Sequence, residues 1–336
     1  MRNESILIDT AGGWGGGAGR LKIELDAFLA EHRPPVRVIG RHRRLTPSWL
    51  VRREAAANLP VAVSLSNVSF LRPGTERRVL VHNALHFLHD RERWVLSRLP
   101  PSFRAQIPVV RGSLYQADVV VVPCSEMAQR VVDRLPAVRD RLLVLPNPVS
   151  QVGPRIPTTD VSILVPIVWS PFKNVASELR VLLAALDRRR HRALVRVTAH
   201  PRDLPGDLVY HPRLDLIGPL PHHRLVAYWR RSTAVFFPCV LESFGYPLAE
   251  ARVYGVPVLA PDTPQAREIA GPALVPYRLS DVDSLAAALD GLDRPVAPEP
   301  HAFERGGYFT RLLGLTRDDR RTGRAARVAA GTLPPR

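Results

Sequence analysis

Short, largely apolar runs recur along this chain, at 6–8, 36–39, 61–65, 79–82, 119–122 and 142–145, and almost none alternates polar with apolar residues. Strands of that kind are buried on both faces, which calls for a parallel sheet covered by helices on either side. Helix-forming segments separate most of the runs, for example 104–116 and 126–134, and Leu21, Leu25, Phe28 and Leu29 recur at helical spacing after the first. The pattern pauses over 145–160 and restarts with runs at 162–165, 193–198, 214–217, 234–237 and 257–260. A chain of 336 residues is too long for one ordinary core and suits two. The expectation is therefore α/β: two doubly wound domains, 1–148 and 149–300, with a cleft between them and ligands at the carboxyl ends of the strands. A helix over 301–315 and a basic, disordered tail over 316–336 follow.

Several classes drop out on composition. No apolar run approaches the roughly 20 residues that span a bilayer. The start of the chain carries Glu4 and Asp9 and too short an apolar core for a signal peptide. Cys124 and Cys239 lie far apart and read as two thiols in a reducing cytoplasm. The net charge of +16 is almost all arginine, since Lys22 and Lys173 are the only lysines among 47 basic residues. Such charge favours anionic partners of every kind without choosing one. No helix-turn-helix, zinc or aromatic-basic stacking pattern accompanies it, so no specific nucleic acid is expected.

The most informative stretch runs from Pro238 through Glu242-Ser243-Phe244-Gly245-Tyr246-Pro247 to Glu250. It follows a strand, turns at Gly245 and enters a helix with Pro247 near its first position. The free amides and positive dipole end of that helix suit a diphosphate or sugar hydroxyls. Glu242 and Glu250 can accept hydrogen bonds from vicinal hydroxyls. An arbitrary glutamate pair is more often a cap and a solvated helix residue. Here Leu248, Ala249 and Ala251 imply a buried helix, in which an idle Glu250 is costly. Trp169-Ser170-Pro171-Phe172-Lys173-Asn174 is a turn into a helix, and a compact ammonium there suits a diphosphate leaving group. The glycine stretch 12–19 is no Walker loop, and Val38-Ile39-Gly40-Arg41 offers no acid for a dinucleotide ribose.

Residues 238–271, through Gly255-Val256-Pro257-Val258 and Glu268-Ile269-Ala270-Gly271, resemble the C-terminal signature of glycosyltransferase family 4, in which two glutamates separated by seven residues flank the donor, as Glu242 and Glu250 are spaced here. The resemblance implies a GT-B fold and retaining transfer of a hexose-type sugar from a nucleotide diphosphate sugar to a glycan or lipid-linked acceptor. It assigns the ribose hydroxyls to Glu250, and the transferred sugar to Glu242, to the backbone at Phe244 and Gly245, and to His82. Lys173 is assigned the diphosphate, and Gly15, Gly16 and Gly17 the donor phosphates and acceptor. Asn147, in Pro146-Asn147-Pro148, resembles the entrance of the family's hinge. The family's usual arginine five residues before the lysine is replaced by Val168, and Arg202 is a candidate for the missing charge.

No cofactor is expected, and the transfer is expected to need no metal: Asp281-Val282-Asp283 reads as a helix cap, and a metal site of His82, His86 and His89 is outweighed by Ala84, Leu85, Phe87 and Leu88, which suggest a packed helix instead. Arg41, His42, Arg43 and Arg44 with Trp49, Leu50, Arg52 and Arg53 mix cationic and apolar character and suit peripheral contact with an anionic membrane. Other readings stay open: a sugar-phosphate synthase or phosphorylase, an inactive paralogue, and a basic nucleic-acid-binding protein.

Overall fold

In the computed structural model the apolar runs become strands, and every strand pairing is parallel. The structure describes residues 4–315 apart from 14, 73–74, 152 and 171–172. The expected disordered tail, 316–336, lies outside the described residues, as do Pro171 and Phe172. The chain divides into two compact units, one of residues up to 148 together with those from 305 onward, the other of 149–304.

The first unit holds β1 (Ile6–Asp9), α1 (Gly16–His32), β2 (Val36–Ile39), α2 (Pro47–Ala56), β3 (Val61–Ser64), β4 (Glu76–Leu80), α3 (Pro101–Leu114), β5 (Val119–Val122), α4 (Ser125–Arg134) and β6 (Leu142–Val144). Its sheet order is β2-β1-β3-β4-β5-β6, with Ile6 opposite both Val36 and Val61. Strand residues such as Val120, Val121 and Val122 are fully buried, which is why no alternation marks them. Thr46 caps α2 by accepting from the Trp49 amide at 3.2 Å, with Pro47 at the first helical position. Between β4 and α3 the chain forms two 3-10 turns, Ala84–Phe87 and Asp90–Arg98.

The second unit holds β7 (Ser162–Val165), α5 (Val175–Arg188), β8 (Leu194–Val197), α6 (Gly206–Val209), β9 (Leu214–Leu216), α7 (His222–Trp229), β10 (Ala234–Phe236), α8 (Tyr246–Tyr254), β11 (Val258–Pro261), α9 (Pro264–Ala270), β12 (Leu274–Tyr277) and α10 (Val282–Leu289). Its order is β12-β11-β10-β7-β8-β9. One apolar cluster, including Val165, Leu179, Leu182, Val195, Phe236 and Leu285, packs the helices on this sheet. The sequence does not predict β12, because Pro276 interrupts the run. It is an edge strand, where a missing amide need not break the ladder.

The last helix, α11 (Arg305–Leu313), closes the first unit although the whole second unit precedes it in the chain. Tyr308, Phe309, Leu312 and Leu313 complete the cluster of Leu21, Leu25 and Phe28, and the Phe28 and Phe309 rings lie 5.2 Å apart. Arg78 donates to the Arg311 carbonyl at 2.7 Å, serving one of the carbonyls that a helix end leaves open. Among the described residues no helix is long and apolar enough to cross a membrane.

Candidate active site

In an open α/β sheet the ligand crevice lies where successive connections leave a strand in opposite directions. In the second unit that point falls between β7 and β10, which are hydrogen-bonded neighbours. The chain leaving β7 carries Lys173, and the chain leaving β10 carries Glu242. Their side chains form an ion pair across the switch point. The Lys173 amide donates to the Ser170 carbonyl at 3.1 Å, and Asn174, at φ +50°, starts α5. Side-chain exposures of 15% and 21% keep the pair mostly out of water yet reachable. Burial pulls the Lys173 pKa down, but Glu242 and the Cys239 sulfur oppose this, and the net shift is upward. The ammonium is therefore fully charged at neutral pH. Burial also pushes the Cys239 thiol up to about 12, so it stays protonated beside the pair.

Gly245 ends the same loop at φ +78° and begins α8, with Pro247 in its first turn. A Cβ there would lie 3.0 Å from Leu248 Cδ1, so both backbone and space call for glycine. Phe244 is buried edge-on against Tyr246 and Phe303, so its ring anchors the loop and leaves only its backbone for a ligand. The Gln265 amide steadies the other side, donating to the Glu242 carbonyl at 3.4 Å. Glu250 stands in the second turn of α8 and is 3% exposed. His222, the first residue of α7, approaches it with Nδ1 at 4.0 Å from Oε1. Nothing in the linear sequence singles out His222. Only the chain reversal that brings the start of α7 beside α8 reveals it. Arg202 is exposed in the turn after β8, and no contact joins it to Lys173 or Glu242 among those of the described residues. Asp281 caps α10 by accepting from the Ser284 amide at 2.8 Å, as its position before an alanine-rich helix implied.

In the first unit the switch point lies between β1 and β3, and the glycine loop leaves β1 there. Gly15 is the N-cap of α1, and Gly16 and Gly17 open the helix. Lys22 reaches back from α1 to the Gly13 carbonyl at 2.9 Å and the Gly12 carbonyl at 3.3 Å. His82 follows β4, and its amide donates to Asn67 Oδ1 at 2.8 Å. Burial pushes its pKa down to about 4, against a hydrogen bond to the Leu65 backbone and with help from the Lys22 charge. The imidazole is neutral at physiological pH. His86 is buried and stacked on Phe103 at 5.0 Å, whereas His89 pairs with Glu126 at 3.0 Å and Asp133 at 3.5 Å. Each of the two thus serves packing or a local ion pair. Asn147 is buried and accepts from the Tyr308 hydroxyl at 3.3 Å, which ties the end of the first segment to α11.

One expectation needs correction. Arg53 is 1% exposed and cannot meet a membrane. It donates to Asp9 at 2.9 Å, to Ser64 and Ser66, and to the carbonyls of Val68 and Ser69, while the Trp49 indole also donates to Asp9. An arginine at the last turn of α2 looks solvated in the sequence. Asp9 of β1, Ser64 at the end of β3 and the segment that follows it supply the acceptors that let it bury.

Residues 208–292 match the family model described as glycosyl transferases group 1, a stretch that includes His222, Glu242 and Glu250. No curated protein matches the chain. Similar solved structures include a sucrose-phosphate synthase from Thermosynechococcus elongatus, with TM-score 0.62 and 14% identity over 86% of this chain and 89% of that one. WaaG, a glycosyltransferase involved in lipopolysaccharide biosynthesis, aligns with TM-score 0.61 and 14% identity over 85% of this chain and 90% of its own. The UDP-GlcNAc 2-epimerase of Methanocaldococcus jannaschii aligns with TM-score 0.55 and 12% identity over 93% and 98%. The fold is thus GT-B, with two Rossmann-like domains. At these identities the likeness is one of fold, and fold alone does not choose between transfer and epimerisation.

Proposed function

We propose that the protein is a retaining glycosyltransferase that moves a hexose-type sugar from a nucleotide diphosphate sugar to a glycan or lipid-linked acceptor, without a metal ion. The observation that carries this reading is the Lys173–Glu242 pair across the β7/β10 switch point, with Glu250 on the helix that begins at the same loop. The match of that loop and helix to glycosyl transferases group 1 favours transfer over epimerisation.

In this reading Glu250 accepts hydrogen bonds from the two ribose hydroxyls, and His222 restrains its carboxylate. The bond between the anomeric carbon and the diphosphate oxygen lengthens, and its electron pair stays with the leaving diphosphate. Lys173 and the N-terminus of α8 stabilise that growing charge, the task a metal ion performs elsewhere. The acceptor hydroxyl attacks from the face the diphosphate vacates, and its proton passes to the departing phosphate oxygen. Glu242 and neutral His82 hold the hydroxyls of the cationic sugar, and Gly15, Gly16 and Gly17 approach the phosphates. Arg202 supplies a further positive charge to the diphosphate in place of Val168. Anionic lipid contact is assigned to Arg43, Arg44, Val51 and Arg52, which are exposed, with Arg53 left out. Flotation with vesicles containing anionic lipid tests it: recovery no better than with neutral vesicles removes that contact.

A ligand that binds only the native state raises its apparent stability, by about 2.7 kcal/mol at a hundredfold excess over Kd. One or more of UDP-, GDP- and ADP-glucose, UDP-galactose and UDP-N-acetylglucosamine should therefore raise the melting temperature of the wild type and not of Glu250→Ala. No shift with any donor class, or the same shift in both proteins, contradicts the assignment.

A further inference from the structure

Glu178 is fully buried in the first turn of α5 and takes no part in the transfer chemistry above. Taking a carboxylate out of water is expensive unless it is paired and hydrogen-bonded. This one accepts from the Ser280 hydroxyl at 2.7 Å, the Tyr277 hydroxyl at 3.3 Å and the Ser280 amide at 3.4 Å. These donors are neutral, and all belong to the end of β12 and the turn that follows it. Burial and the Glu178 charge push the Tyr277 hydroxyl far up, so it stays protonated and donates.

Packing does not require an acid here. Leu179, Leu182 and Leu183 already bury the apolar face of α5, and a leucine at 178 would carry no desolvation cost. What the directed bonds add is register: apolar side chains let a helix slide or turn on a sheet, whereas bonds to one carboxylate fix its first turn. Two backbone features meet at this attachment. The Glu178 amide donates to the Asn174 carbonyl at 3.3 Å, closing the first turn, and Asn174 stands at φ +50°. Ser280 stands at φ +59°, and from there its amide and its hydroxyl both reach the carboxylate. Left-handed backbone at residues other than glycine persists only where the surroundings hold it.

The attachment lies beside the switch point of the second unit. Asn174 directly follows Lys173, and in a parallel sheet the end of β12 faces the same way as the ends of β7 and β10. The Tyr277 ring is stacked on Phe236 of β10, with centroids 5.7 Å apart. The Cys239 sulfur is near enough to act on both the Tyr277 hydroxyl and the Lys173 ammonium.

We propose that Glu178 is a positioning residue: its bonds to Tyr277 and Ser280 fix the first turn of α5, and with it the place of the Lys173 ammonium at the switch point. This rests on the function proposed above, in which Lys173 meets the donor diphosphate. Without the carboxylate, α5 keeps its apolar anchors but its first turn loses the bonds that set its register.

The test is calorimetric titration of the full-length protein with UDP, GDP and ADP, each beside its monophosphate, for the wild type, Glu178→Leu, Lys173→Met and the double variant. The nucleoside diphosphate that the wild type prefers should bind about tenfold more weakly to Glu178→Leu, as for a lost hydrogen bond to a charged group, while its monophosphate changes less than about twofold. In the Lys173→Met background, Glu178→Leu should add less than about twofold, because the ammonium it positions is gone. A role confined to stability would weaken both ligands and act alike in both backgrounds, and either result overturns the proposal. If Glu178→Leu fails to fold, Ser280→Gly decides. Glycine suits φ +59° at this exposed position, so the chain folds, and a diphosphate-selective loss is expected. Unchanged diphosphate affinity there overturns the proposal. A wild type that binds none of the nucleotides, or a Lys173→Met that binds the diphosphate like wild type, removes the underlying function and the proposal together. Loss in Lys173→Met with none in Glu178→Leu removes the proposal and leaves the function standing.

Discussion

Lys173 is a side chain whose removal should cost more in chemistry than in folding. Its pair with Glu242 is mostly out of water, so Lys173→Ala leaves the carboxylate short of a partner and should cost about 1–3 kcal/mol of stability. If the ammonium stabilises charge on the leaving diphosphate, the same change should lower kcat by about 10²–10³-fold, the loss typical of removing one preorganised donor. Steady-state turnover beside a thermal melt checks both. Arg53→Ala is expected to do the reverse. It strands the buried Asp9 carboxylate and should cost about 3–5 kcal/mol, read by urea denaturation. Lys173, Glu242 and Glu250 were legible because glycine, proline and acid occur there at a spacing that a loop-to-helix turn requires. Arg53 was not, because its partners Ser64, Ser66, Val68 and Ser69 come from another element and carry no mark in a linear reading.

The segment between β4 and α3 should make the first unit acid-sensitive. His82 and His86 are both pushed down by burial to about 4 from an ordinary 6.5, and for His86 the neighbouring His82 and Arg111 add to the shift. The unfolded chain therefore binds more protons between those values. Stability is fully present above pH 6.5 and is lost as the pH falls toward 4, at up to about 1.4 kcal/mol per unit for each histidine. His86→Phe keeps a ring against Phe103 and removes one titration. Chemical denaturation at pH 7 and pH 4.5 should show a smaller loss in that variant than in wild type, and an equal loss would contradict the assignment. The turn into α8 carries a different constraint. Gly245→Ala forces φ +78° on an alanine and crowds Leu248, which should cost about 1–2 kcal/mol and weaken nucleotide binding. Strand and helix positions were readable element by element, since unalternated valine and isoleucine runs leave few choices. β12 was missed because Pro276 contradicts a strand everywhere except at a sheet edge, and edges are set by topology.

Across the whole molecule the least legible fact is where α11 belongs. Its aromatic and leucine residues promised a packed helix, but local pattern cannot say which core a helix completes. The structure gives it to the first unit, so that unit's core needs residues from both ends of the chain. Phe309→Ala, at a fully buried position against Phe28, should cost about 3–5 kcal/mol and lower the melting temperature. Repetition of one doubly wound pattern was plain in the sequence, as was the loop that carries the acids. The reversal of connection between β7 and β10, which makes that loop a crevice, required the strand order. The most direct measurement is release of nucleoside diphosphate from UDP-, GDP- and ADP-linked sugars by purified wild type and Glu250→Ala, followed with water as the slow acceptor. At least one donor should turn over in the wild type, and turnover at subsaturating donor should fall at least tenfold in Glu250→Ala, the loss expected when hydrogen bonds to a charged group are removed. A wild type inert toward every donor, or a variant that matches it, would contradict the assignment.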